Sequence, residues 1–477
     1  MPHRRAAYRR VTTASSRRET QRRAAVAILA MVVVIGGLAS LVYSFGGPAG
    51  GGPLASVTAA EAALRTIRGD LGQVFAPGVD LVEGDPSKAM SLLSDAYRAV
   101  DAAKTANVPP ATLDPLRQQV VGGLDRLFHV VPVGSATVMS FAGAKTPFDI
   151  QSMILGPDGM PYVLDKASNT VYRIDLRTKK ATPVFKQKTK AAGATEGVPK
   201  LLAMGGRDLL IIDDKNTVWR WRAADAKGNG TIRTVKVAGA PGWGDDVVAA
   251  GTFLRDASEG LYNLYIVDPS EQNILAYTPA RDGSGFPVNP QNRLTVARDV
   301  SKVNDLVIDG DIFVADGGSL FRFVGGKSEG WETQPPGYSS DARDGDTLLR
   351  QAPDYAHIAS ASDKRTGILY AWDKNNGRVV AYDKAKGTFI EQYRLAGGSP
   401  AWDDVRGMYV VLGSGPEAPS TLVWATKDGV MSAVLEAVPD ATAGASGSPS
   451  PSASAPAASA KPSAKPTKAT PKPTKRP

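Results

Sequence analysis

One pattern constrains this chain more than any other: two short apolar strands joined by a polar turn, with an Asp closing the first strand, recurring about every fifty residues. The fullest copy is Gly156–Asp175, GPDGMPYVLDKASNTVYRID. Pro157-Asp158-Gly159 supplies a first turn and Lys166–Asn169 a second, where Asn and Ser bond their own backbone. Tyr162-Val163-Leu164 and Val171-Tyr172-Arg173-Ile174 carry the β-branched and aromatic residues that fit a pleated, half-buried surface. Leu209–Trp221, Leu264–Tyr277, Ile312–Phe323, Leu369–Tyr382 and Leu422–Val434 are variations on the same unit. Asp165, Asp213, Asp268, Asp316 and Asp373 close the first strand in five copies; Ala425 stands there in the sixth.

A period of that length with several short strands per repeat predicts an all-β six-bladed propeller within residues 132–440. Ala136–Phe141 is a lone strand ahead of the first repeat. It is expected to pair with the last repeat near Met431–Ala437 and close the ring, which removes the free sheet edges that invite aggregation.

The unit resembles the repeat of NHL and YWTD-type six-bladed propellers: a G-x-D-G-like turn at Gly156–Gly159, an apolar strand ending in Asp165, a polar turn, then the x-V-Y-R-I strand at Thr170–Ile174. The resemblance covers roughly 300 residues, with each repeat degenerate. It implies that Asp165 and its equivalents brace the turn between strands. Such domains also form the extracytoplasmic part of membrane-anchored bacterial signalling proteins, and the layout of this chain is similar.

That layout comes from the flanks. Ala24–Phe45 has no charged residue and is long enough, at ~1.5 Å per residue, to span a bilayer core as an uncleaved helix. Eight arginines against one glutamate in residues 1–23 are expected to keep the N-terminus cytoplasmic and send the rest across. Only this short tail is then inside, so any signalling output implied by the resemblance lies in another chain. Residues 46–53 read as a Gly/Pro linker and 54–131 as a three-helix stalk. Thr58-x-x-Glu61, Asp85-Pro86 and Asp114-Pro115 are the expected helix starts. Residues 441–477, built from Ala, Ser, Thr, Pro, Gly, Lys and Arg, lack the material for a core and read as a disordered tail able to contact the cell wall.

The formal charge of +9 is misleading as a whole. Its basic residues concentrate in the two tails and leave the middle mildly acidic, so a nucleic-acid partner is not expected. There is no cysteine, which removes disulfides, thiol catalysis and thiolate metal sites. His3, His129 and His357 fall in three different regions and supply no histidine cluster. Asp225–Gly230 has the outline of a calcium loop but carries Lys227 where an oxygen ligand belongs.

A second repeated feature nominates a site. Asp149, Asp246, Asp305, Asp354 and Asp404 stand at the start of the first strand of five blades, with Phe148, Trp243, Tyr355 and Trp402 beside four of them. Because first strands line the channel of a propeller, these residues are expected at one mouth, as a rim for a cation, sugar or peptide or as turn-bracing groups. The expected function is a non-enzymatic binding, sensing or scaffolding module at the cell envelope, with a protein, glycan or peptide ligand and no cofactor. The alternative is a metal-dependent propeller hydrolase or lactonase using the same carboxylates.

Overall fold

The computed structural model describes residues 53–191, 193–224, 229–244, 246–329, 352–360, 367–396, 402–413 and 418–435. Ala24–Phe45, both basic tails and residues 330–351 lie outside the described residues. Among the described residues no helix is long and apolar enough to cross a membrane. The chain divides into two compact units, one holding the helices and Phe389–Arg394, the other holding the remaining described strands from Pro132 onward.

The helical unit contains α1 (Pro53–Val74), the short α2 (Leu81–Gly84), α3 (Pro86–Thr105) and α4 (Pro110–Phe128). Ile67 and Val74 of α1, Leu93 and Ala96 of α3, and Val120 and Leu124 of α4 are buried in one shared core. Asp85 caps α3, its carboxylate accepting from Lys88 N at 3.1 Å with Pro86 in the first turn. The other two starts differ from expectation. α1 begins at Pro53, so Thr58 sits inside it. α4 begins at Pro110 and carries Pro115 internally. Pro109-Pro110 is already preorganised for a helix start, and starting there buries Leu113 on the core side. Within this unit Arg394 forks onto buried Asp125 at 2.7 and 3.2 Å, and Gln392 donates to the carbonyls of Phe128 and His129.

The β unit is a six-bladed propeller. Blade one runs Ile150–Leu155, Pro161–Asp165, Thr170–Asp175 and Lys180–Lys186 from the inside out. Blades two, three and four begin with Pro199–Gly205, Ala249–Asp256 and Val303–Ile308, and each continues as an antiparallel meander. Blade five has Tyr355–Ser360, Ile368–Asp373 and Arg378–Asp383 within this unit. Blade six has Met408–Val411, Ser420–Thr426 and Gly429–Leu435, and its outermost strand is Ser135–Ser140 from the start of the domain. The pairing is antiparallel, with Ser135 opposite Ala433 and Ser140 opposite Gly429, so the ring closes as the sequence predicts. The six inner strands neighbour one another in an unbroken cycle.

The core lies between adjacent blades. Phe185 and Tyr162 of blade one meet Trp219 and Trp221 of blade two at ring distances of 5.6 and 5.4 Å. The second strands are the most buried, Leu209 to Ile212 being almost wholly inaccessible, because both faces of each sheet pack on a neighbour. The opening turn of the repeat requires Gly156: a Cβ there would meet the Tyr162 ring at 2.0 Å.

Candidate functional site

The inner strands enclose a channel of about 460 Å³. In blades one, two, four and five the second residue of the inner strand is skipped by the ladder. Ile150 pairs with Asp165 and Ser152 with Leu164; Pro199 pairs with Asp213 and Leu201 with Ile212. Val303 pairs with Asp316 and Asp305 with Ala315; Tyr355 pairs with Asp373 and His357 with Trp372. The skipped residues Gln151, Lys200, Asn304 and Ala356 are therefore β-bulges at equivalent positions, each beside the strand-closing Asp. A bulge bends the strand and re-aims a side chain. Gln151, Lys200 and Asn304 line the channel, joined by Asp305, His357 and Arg406. Toward the other ends of the strands the lining includes Met204, Thr252, Asp309 and Ser360.

The strand-closing aspartates brace turns. Asp165 accepts from Asp149 N at 2.8 Å, Ala167 N at 3.3 Å and Ser168 N at 3.1 Å. Asp213 accepts from Gly197 N, Lys215 N, Thr217 N and the Trp219 indole. Asp268 accepts from Ser270 N at 3.0 Å, and Asp373 from Asp354 N at 3.0 Å and Asn376 Nδ2 at 2.7 Å. Burial pushes the Asp373 carboxyl up to about 6, against those hydrogen bonds. Asp316 instead pairs with Arg298 at 3.0 Å, whose guanidinium lies 3.6 Å from the Phe321 ring centre.

Of the residues nominated for the mouth, Asp305 is among those that line the channel. Its two oxygens accept from Leu306 N at 2.8 Å and from Ile358 N of the next blade at 3.0 Å. His357, stacked on Trp372, holds its Nδ1 3.5 Å from the same carboxylate. Asp149 and Asp354 hold the hairpin of their own blade, their carbonyls accepting from Lys166 N and Lys374 N. Asp404 pairs with Arg406 and accepts from Lys427 N at 3.2 Å, placing a carboxylate at the turn where Ala425 replaces the strand-closing Asp. Asp246 is exposed in the turn before blade three.

The four aromatic candidates pack against other rings. Trp243 is buried and donates to the Tyr277 hydroxyl at 2.5 Å. Trp402 is buried edge-on to Trp424. Tyr355 shares a 2.6 Å hydrogen bond with Tyr382, and Phe148 stacks on Phe141 at 4.1 Å. The channel-lining residues at this end are amides, cations and the engaged carboxylate of Asp305, with Asp404 paired to the lining Arg406. The bulges at this end were invisible in the sequence, because a skipped residue is a property of pairing rather than of composition.

Deeper in the ring, Lys384 is fully buried, donating to Asp309 Oδ2 at 2.7 Å and Ser360 Oγ at 2.8 Å. Among the described residues no three His, Asp or Glu side chains converge as a metal-binding group. Residues 225–228 of the calcium-like loop, and the acidic stretch at Asp341–Asp346, lie outside the described residues.

No protein-family model matches the chain, and no curated protein matches it. Solved structures do resemble it. A virginiamycin B lyase from Staphylococcus aureus is 12% identical with a TM-score of 0.38, over 64% of this chain and 99% of that one. Regucalcin, a calcium-binding protein from Agrobacterium tumefaciens, is 13% identical with a TM-score of 0.38, over 65% and 96%. A chain of a nidogen/laminin complex is 16% identical with a TM-score of 0.33, over 52% and 81%. The strand pairing described above makes the chain's β unit a six-bladed propeller.

Proposed function

We propose that this chain is a membrane-anchored, extracytoplasmic propeller of the NHL/YWTD type that binds a protein, glycan or peptide partner at the cell envelope without catalysing a reaction. Ala24–Phe45 anchors it, the helical unit is its stalk, and the basic C-terminal tail contacts the wall. The observation that carries the binding half of this reading is the state of the channel carboxylates. Asp305 accepts backbone N–H groups from two adjacent blades, and Asp309 is neutralised by Lys384. Both hold the ring together, whereas a hydrolase of this form would need them turned to a metal or a water. The mouth offers amide and cationic groups from Gln151, Lys200, Asn304 and Arg406, a surface suited to orienting a polar ligand.

The test compares binding of envelope glycan and peptide fragments with lactone hydrolysis in added divalent metal, both on the full chain. Saturable binding that is lost when Gln151→Trp and Lys200→Glu obstruct the mouth, with no turnover, is the expected result. Metal-dependent turnover abolished by Asp305→Asn would replace the binding reading with the hydrolase.

A further inference from the structure

A second cleft, distinct from the channel, lies between blades two and three and also has a volume of about 460 Å³. Its construction starts with an unusual connection. Gly285–Phe286, from the segment between the third and fourth strands of blade three, crosses to blade two and pairs in parallel with its outermost strand, Gly230–Val237. The approach is close enough that a Cβ on Gly285 would meet Lys236 O at 2.5 Å. Arg220 fastens the same strap from inside, donating to Gly283 O at 2.6 Å.

Four arginines line the space: Arg220, Arg222, Arg233 and Arg281. Arg220 and Arg233 are direct cross-strand partners, a like-charge pairing that disfavours the sheet unless something negative sits beside it. Asp208 relieves it only in part, its Oδ2 lying 3.9 Å from Arg220 Nη1. Asp208 is buried, and its oxygens are taken by Arg222 at 2.7 and 3.0 Å and by the Tyr262 hydroxyl at 2.9 Å. Burial raises the Tyr262 hydroxyl far above its ordinary range, so it remains a donor to Asp208. Asp282 accepts from Ser284 N within its own turn at 2.9 Å. Glu259 is exposed at the edge. Among the described residues, Arg233 and Arg281 have no acidic partner within ion-pair distance, and both are exposed.

We propose that this cleft is a binding site for a phosphate-bearing ligand, held by Arg220, Arg222, Arg233 and Arg281. Guanidinium forks match oxyanions bidentately. A phosphate monoester presents more terminal oxygens and more charge than a carboxylate, and a phosphodiester chain matches that by repeating its single charge, which suits a cluster of four guanidinium groups. Asp208 and Gly283 fix Arg222 and Arg220 in advance, so less side-chain entropy is lost on binding. Arg233 and Arg281 supply the mobile half of the clamp.

The experiment is calorimetric titration of the full chain, in chloride buffer, with inorganic phosphate, with a glycerol-phosphate polymer and with polygalacturonate. It is repeated on Arg233→Gln/Arg281→Gln, whose exposed positions leave the fold intact. Saturable binding of phosphate or its polymer, weakened about tenfold or more in the double variant at unchanged Tm, is expected, since each charge-assisted hydrogen bond is worth roughly a factor of ten. Tighter binding of the polymer assigns the ligand to an envelope polyphosphodiester, and equal binding assigns it to a small phosphate ester. Absence of saturable binding, unchanged affinity in the double variant, or equal binding of polygalacturonate would overturn the proposal.

Discussion

Thr137 and Met431 are register partners across the outer edge of blade six, nearly 300 residues apart in sequence. That pairing joins the two ends of the propeller. A strand from the start of the domain completes the sheet that the end of the domain leaves open. A chain beginning at Lys145 lacks this strand and exposes Gly429–Leu435 as an unpaired edge. It is expected to melt at lower temperature and aggregate more readily than one beginning at Pro132. Equal melting and solubility would show that closure contributes nothing.

The pair of Lys384 and Asp309 tests how the ring holds a charge inside. Removing one partner takes away the charge that the other, buried one faces at 2.7 Å. Lys384→Met alone is expected to cost about 3–5 kcal/mol. Adding Asp309→Leu should restore most of that loss, because an apolar pair carries no desolvation penalty. Chemical denaturation of both variants measures it; a double variant no better than the single would contradict a charge-based account.

Asp373 gives a pH signature. Its folded value, about 6, lies above the 3.8 of an unperturbed Asp, so the folded chain binds the extra proton between those limits. Stability contributed at this site is therefore greatest at low pH and falls as pH rises from about 4 to 6. Relative to Asp373→Asn, the native chain should lose on the order of 2–3 kcal/mol across that window. Parallel stability profiles for the two proteins would contradict it.

The repeat was legible because a hairpin is local. LLIIDDKNTVWRW contains its own strands, turn and closing Asp, and Leu209 does face Trp221 in the ladder. The closing strand was legible because a lone apolar segment ahead of six repeats needs a partner. The mouth was less so. A Trp beside paired aspartates reads the same whether it faces solvent, as a ligand platform would, or another ring of the core, as Trp243 and Trp402 do. The bulges at Gln151, Lys200 and Asn304 leave no local trace. Neither does the strap at Gly285–Phe286, whose partner lies in a different blade. The start of α4 was misread because Asp114-Pro115 imitates a cap that Pro109-Pro110 makes unnecessary.

Burial makes Trp243 and Trp402 packing residues in stability measurements. Trp243→Ala and Trp402→Ala should each cost about 3–5 kcal/mol by denaturant titration. Trp243→Phe should cost less, while still breaking the hydrogen bond to Tyr277. Native-like stability in either Ala variant would reopen these positions as a ligand surface.

The proposed topology puts the propeller outside the membrane behind the single segment Ala24–Phe45. The most direct measurement places one tag before Met1 and another after Pro477, then adds protease to intact spheroplasts. Eight arginines ahead of Ala24 predict that the first tag survives and the second is lost without lysis. Survival of the C-terminal tag until the membrane is broken would contradict the account.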